Sequence, residues 1–178
     1  YTRNDILSAS GKVLMEADTL IELKTTDADG KISFIADLPI DGTYYVKELY
    51  APDGFVTTGE EKEFVFEYQG DKEAEVSYEF VFEDEPTTVE LSKTDLTTGE
   101  ELPGARLQLT DENGAVVEEW TSTKEPHIIK ELVVGKSYTL TETKPADGYA
   151  TAESITFTVE NTVETVSYTH LTLPTNSL

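Results

Sequence analysis

Apolar and polar residues alternate along most of this 178-residue chain, the period-2 pattern of strands with one buried and one wet face. The runs KEFVFEY (62–68) and AEVSYEFVFED (74–84) place aromatic and aliphatic residues on one side and acids on the other. YTRNDIL opens the chain as a strand, SASGK (8–12) is a turn, and residues 17–38 read as strand, turn, strand. VELSKTD (89–95), the loop and two strands of 97–120, HIIKELVVG (127–135) and SITFTVEN (154–161) continue the pattern. No stretch keeps an i, i+3, i+4 period for three turns, so no helix is expected. Short strands at regular spacing, punctuated by Gly, Pro and Asn/Asp-Gly, predict all-β antiparallel sandwiches.

One phrase occurs twice, as YYVKELYAPDGF (44–55) and YTLTETKPADGY (138–149). Tyr44/Tyr138, Glu48/Glu142, Asp53/Asp147 and Gly54/Gly148 all stand 94 residues apart. An offset of that size indicates two copies of one domain rather than a solenoid of short units. The expected boundaries are 1–86 and 87–165, joined by EPTT (85–88), in which Pro86 stiffens a short link. Within each phrase the glutamate alternates onto the face expected to be buried. A carboxylate there needs a partner or a chemical role.

The balance of 13 Lys and Arg against 36 Asp and Glu gives a formal charge of −23. That excludes nucleic acid and anionic membrane surfaces as partners and predicts a self-repelling, solvated exterior. Apolar content of 38% with strands rich in Val, Ile, Phe and Tyr argues against disorder. There is no cysteine, so if these are small extracellular domains, something other than a disulfide must brace their thin cores. No run is long and apolar enough to span a bilayer, and no signal-peptide or lipidation pattern occurs. The ends of the chain are expected not to be native ends. DADGK (27–31) and DENGA (111–115) have tight-hairpin chemistry. They also space oxygen ligands as calcium loops do, although neither has the full twelve-residue pattern with its closing Glu.

The segments VELSKTDLTTGEELPGARLQLTDENG, YTLTETKPADGY and ITFTVEN, in that order, resemble the B-type repeat of Gram-positive collagen-binding adhesins and SpaA-type pilin domains. The resemblance covers 89–161 in the second copy and about 36–88 in the first. It implies prealbumin-like or immunoglobulin-like sandwiches, both incomplete at the ends of the chain: the first copy without its first strand, the second without its last. The final residues, VSYTHLTLPT within 166–178, lose the acidic character and have no counterpart in the first copy. They resemble the translation of a sequencing-library adapter and are expected to lie outside the fold as a non-native tail. The competing reading is a native strand, because THLTL alternates.

What the family resemblance implies is an isopeptide bond between a first-strand lysine and a last-strand Asp or Asn, with a mid-strand glutamate relaying protons. Burial makes the amine neutral and nucleophilic, and fixed geometry supplies effective concentration. Carried over residue by residue, Lys93 is the nucleophile and Glu142 the relay of the second copy, and Glu48 is the relay and Asp84 the acceptor of the first. Neither copy then holds a complete triad, and Asp84 and Lys93, across the Pro86 joint, are not expected to bond. The bland alternatives are a solvated strand lysine at 93, paired edge carboxylates at 48 and 142, a solvated Asp84 and a turn role for Asn161. Lys24 and Lys47 alternate onto wet faces. Trp120 and the tyrosines fit packing better than a sugar platform.

No enzyme is expected, since His127 and His170 have no Ser or Cys constellation and no phosphate loop or metal cluster occurs. No cofactor is expected either. Three functional classes remain. The first is a cell-wall-anchored stalk or pilin segment whose partners are neighbouring repeats. The second is an adhesin module that binds a host matrix protein, glycan or cell surface. The third is a calcium-stabilised accessory domain of an extracellular enzyme.

Overall fold

A computed structural model describes residues 1–67, 76 and 78–175, and no helix occurs among them. The chain divides into two compact units. The first comprises Tyr1–Leu49 with Gly59–Phe82, and the second Tyr50–Thr58 with Glu83–Leu178. This differs from a single cut after residue 86, because segment 50–58, from the first sequence copy, belongs to the second unit.

In the first unit, β1 (Ile6–Leu7) and β2 (Val13–Met15) form an antiparallel hairpin across the SASGK turn. Strand β3 (Thr43–Lys47) lies beyond it; β4 (Phe55–Thr57) belongs to the second unit; and β5 (Glu61–Val65) pairs antiparallel with β3. Tyr44 and Tyr45 are buried, and Phe64 packs on Tyr44 at a ring separation of 5.6 Å. The strands expected within 17–38 do not form. The turn does: the Asp27 carbonyl accepts the Gly30 N–H, the Asp27 N–H donates to the Lys31 carbonyl, Asp27 Oδ1 accepts the Lys31 N–H, and Glu22 accepts from the Ile35 and Ala36 amides. Leu20, Leu23, Phe34 and Ile35 are nonetheless exposed, so these arms lack the apolar face that would make alternation into a sheet. Of the run expected at 74–84, residues 74, 75 and 77 lie outside the described residues, as does Tyr68. Residues 78–83 form no ladder, and the Tyr78 hydroxyl donates to the Val65 carbonyl at 2.7 Å.

The second unit is a sandwich. After β6 (Asp84–Pro86), which pairs with β4, come β7 (Thr88–Asp95), β8 (Arg106–Thr110), β9 (Val116–Thr121) and β10 (His127–Lys130). Strands β11 (Ser137–Lys144), β12 (Ile155–Thr158) and β13 (Val166–Thr172) complete it. One sheet has the order β12-β11-β8-β9, all antiparallel, and the other β10-β7-β13. Alternation turns Val89 and Leu91 of β7 inward against Leu107, Leu109, Leu140 and Phe157 of the facing sheet. Burying each such side chain contributes about 1.5–3 kcal/mol.

The expectation that 166–178 lies outside the fold, leaving 87–165 without a closing strand, is corrected by β13. Val166–Thr172 runs parallel to β7 over seven residue pairs, from Val166↔Val89 to Thr172↔Asp95. The physical reason is the alternation of VSYTHLT, which turns Tyr168, His170 and Thr172 to the core side of an otherwise open β7 edge. The Tyr168 ring stacks on Phe157 at 4.4 Å. The sheet that contains β13 is therefore mixed rather than wholly antiparallel.

Candidate functional site

The alternation that buries Leu91 and Leu140 carries one step further along each strand to a charge. On β7 the next inward residue is Lys93, and on β11 it is Glu142, so the two sheets press an amine against a carboxylate. Lys93 Nζ lies 3.5 Å from Glu142 Oε1, with side chains 1% and 0% exposed. Glu142 Oε2 accepts the Ala152 N–H at 2.6 Å. Neither Lys93 Nζ nor Glu142 Oε1 has a well-aligned hydrogen bond. Burial lowers the Lys93 pKa from its ordinary value, against the opposing pull of Glu142. The neutral form of the amine is thereby favoured more than in a free lysine.

The GEELPGA loop holds this lysine in place. Beyond Leu91, β10 no longer covers the edge of β7, and the loop replaces it. Glu101 Oε2 accepts the Lys93 N–H at 3.1 Å, and the Leu102 N–H donates to the Lys93 carbonyl at 2.7 Å. Leu102, Ala105 and Ala146 form a small apolar cluster with Tyr149. The Tyr149 hydroxyl in turn donates to Asp95 Oδ2 at 2.9 Å. Sequence reasoning recognised this loop as a motif but did not assign Glu101 a contact.

Opposite Lys93 in the β13 register stands His170, 1% exposed. Its Nε2 donates to the Glu153 carbonyl at 2.7 Å, which leaves Nδ1 an acceptor, buried and without a partner. Burial, and then the Lys93 charge, hold the His170 pKa below its ordinary value. An imidazole has no acyl carbon for an amine to attack. The site thus contains a buried amine and a carboxylate, with a side chain of the wrong chemistry facing the amine. Sequence reasoning set His170 aside with the tail; the alternation of THLTL was the signal that could have retained it.

The remaining candidates separate from this centre. Asp84 lies in β6, paired with Thr57, and its Oδ1 is buried without a partner. Glu48 follows β3 directly and is half-buried, in the first unit. Lys24 pairs with Glu22 at 2.9 Å, and Lys47 sits near Glu61 and over the Tyr1 ring, so both are engaged away from the core. Asn161 is exposed in a bend. His127 stacks on Trp120 at 4.2 Å and meets Glu118 at 2.9 Å. The Asp27 and Asp111 carboxylates accept N–H groups of their own turns. Among the described residues no group of three His, Cys, Asp or Glu is placed to hold a metal.

Two tandem all-β units, the second a sandwich with a Lys–Glu pair buried between its sheets, define a class of structural β-domain. Residues 5–79 and 87–171 both match the family described as "SpaA: Prealbumin-like fold domain", and the chain belongs to that family. The matched domains are of a structural kind. No curated protein matches the chain. Among solved structures, the Bacillus anthracis TIE protein is 26% identical with a TM-score of 0.53 over 84% of this chain. The chain spans 28% of that protein. A C-terminal fragment of the pilus adhesin SpaC from Lactobacillus rhamnosus GG is 21% identical, with a TM-score of 0.46, covering 81% of this chain and 80% of the fragment. The C-terminal domain of the shaft pilin SpaA from the same organism is 21% identical, with a TM-score of 0.36, covering 50% of this chain and 98% of that domain.

Proposed function

We propose that the chain is a stalk segment of an extracellular, cell-wall-anchored bacterial adhesin or pilin, and that its domains are built to brace themselves with an isopeptide bond. The observation that supports this is the Lys93–Glu142 pair, buried between the sheets where an ordinary structural lysine would reach solvent. In the reaction, the neutral Lys93 amine attacks the side-chain carbonyl of an Asp or Asn on the closing strand. Glu142 takes a proton from the amine and delivers one to the leaving oxygen or nitrogen. A C–N bond forms, and one water leaves from Asp or one ammonia from Asn. Each molecule reacts once. Closing a loop of about 75 residues stabilises the domain by about 4 kcal/mol on chain-entropy reasoning.

In this chain His170 stands opposite the lysine, and we read β13, Val166–Thr172, as occupying the place of a closing strand that carries an acceptor. The test is intact mass. His170→Asn or Thr172→Asn, in the otherwise unchanged chain, supplies an acceptor at either inward position of β13 near Lys93. Loss of one ammonia from either variant, abolished by adding Glu142→Ala, is the expected result. Unchanged mass in both folded variants overturns the reading. Asp84, with its buried unpartnered oxygen, is read as the corresponding acceptor of the first copy, and Glu48 as its relay.

A further inference from the structure

The turn that ends each glutamate phrase is built the same way twice, and among the described residues only the first is filled. In the first, the Phe55 N–H donates to the Pro52 carbonyl at 3.0 Å and Gly54 has φ +87°. In the second, the Tyr149 N–H donates to the Ala146 carbonyl at 3.1 Å and Gly148 has φ +86°. Each glycine carbonyl accepts a threonine N–H at 2.9 Å, from Thr87 and from Thr175. Each threonine follows a proline that faces the turn aromatic in an antiparallel pairing, Pro86 with Phe55 in the β4–β6 ladder and Pro174 with Tyr149 in an isolated bridge.

The first turn seats on the Glu131–Leu132 corner, within the same compact unit. The Glu131 N–H donates to the Thr87 carbonyl at 3.0 Å, and the Thr87 hydroxyl is aimed at the Leu132 carbonyl at 2.7 Å. A Cβ on Gly54 would come within 2.7 Å of the Glu131 carbonyl oxygen, closer than such contacts allow. At Gly148 nothing among the described residues lies within 4 Å of the corresponding point. There the Thr175 hydroxyl donates to the Gly148 carbonyl at 2.8 Å, whereas the Thr87 hydroxyl lies 3.3 Å from the Gly54 carbonyl and closer to Leu132.

We propose that the Gly148 turn, with Pro174 and Thr175, is a docking surface for a following domain of this same type. The corner of that domain equivalent to Glu131–Leu132 is the occupant. Its amide would meet the Thr175 carbonyl, one of its carbonyls would take the Thr175 hydroxyl, and the other would lie over the bare α-carbon of Gly148. The glycine serves the contact as well as the turn: φ near +86° favours it, and the seated carbonyl excludes any side chain. The proposal rests on the stalk reading, but its test reads backbone protection rather than mass, so failure of one is distinguishable from failure of the other.

The test compares the 178-residue chain with an extended chain in which residues 88–178 are repeated directly after Thr175, each with and without Gly148→Ala. In the extended chain, the repeated counterpart of the Glu131 amide should be protected from hydrogen exchange. Gly148→Ala should accelerate its exchange by roughly tenfold or more, as expected for a local contact that opens. The same substitution should lower the unfolding midpoint more in the extended chain than in the original, where it only strains the turn. Gly54→Ala in the original chain is the positive control, read at Glu131 itself. An unprotected corner amide, or equal effects of Gly148→Ala in both chains, overturns the proposal. If Gly148→Ala unfolds the turn in both, Thr175→Val removes only the hydroxyl and carries the same comparison.

Discussion

Lys93 Nζ and Glu142 Oε1 approach to 3.5 Å in a space that solvent does not reach, with no other ion pair to either among the described residues. Two unlike charges in such a place are costly to separate and not especially profitable to keep. Glu142→Ala should therefore destabilise the second unit by about 3–5 kcal/mol, since it strands the amine. Replacing both, as Lys93→Met with Glu142→Leu, should restore most of that loss or exceed it. Denaturant unfolding monitored at Trp120, the single tryptophan, measures both. A double replacement as damaging as the single one would show that the pair stabilises this fold.

The nucleophile's proton gives a second prediction. Burial holds the Lys93 pKa below 10.5, so the amine becomes neutral at lower pH than a free lysine does. In a variant carrying an acceptor on β13, the rate of mass loss should rise with pH along a curve whose midpoint lies below 10.5. A midpoint at or above the free-lysine value would contradict the burial argument.

His170 predicts acid sensitivity. Its folded pKa lies below the ordinary 6.5, so between those two values the unfolded chain binds a proton that the folded chain resists. Stability then rises with pH through that window and falls as pH drops below about 6.5. His170→Leu should remove this part of the pH dependence while leaving the carboxylate-driven loss at lower pH. Thermal melts from pH 7 to 5 on the two proteins make the comparison.

Limited proteolysis should divide the units. Leu20, Leu23, Phe34 and Ile35 are exposed in a segment with no ladder, the kind of backbone that opens at low free-energy cost. A protease selective for large apolar residues should cut between 20 and 35 first. Trp120 fluorescence should not change while it does so. First cuts within β7 or β11 would contradict this.

Alternation and turn chemistry located most of the second unit directly from the residues. DENGA is the turn between β8 and β9, and the inward positions of β7 and β11 lead to Lys93 and Glu142. The same reasoning failed at 17–38 because alternation describes a face, whereas a strand also needs a neighbour to bond and a surface to cover. It failed in the opposite direction at 166–172. Those residues differ in composition from the rest, yet a ladder edge responds to pattern and volume, and VSYTHLT supplies both. The contact between the Gly54 turn and the Glu131 corner could not be read at all, because backbone carbonyls leave no trace in side-chain identity.

The parallel pairing of β7 with β13 has a mechanical consequence. Because the two strands run the same way, the start of β7 and the end of β13 lie at opposite ends of their seven-pair ladder. A load applied at Thr88 and Thr172 would therefore pull along the strands and shear every pair at once, instead of peeling them one by one. With or without a covalent tie, this edge of the domain is arranged to resist stretching.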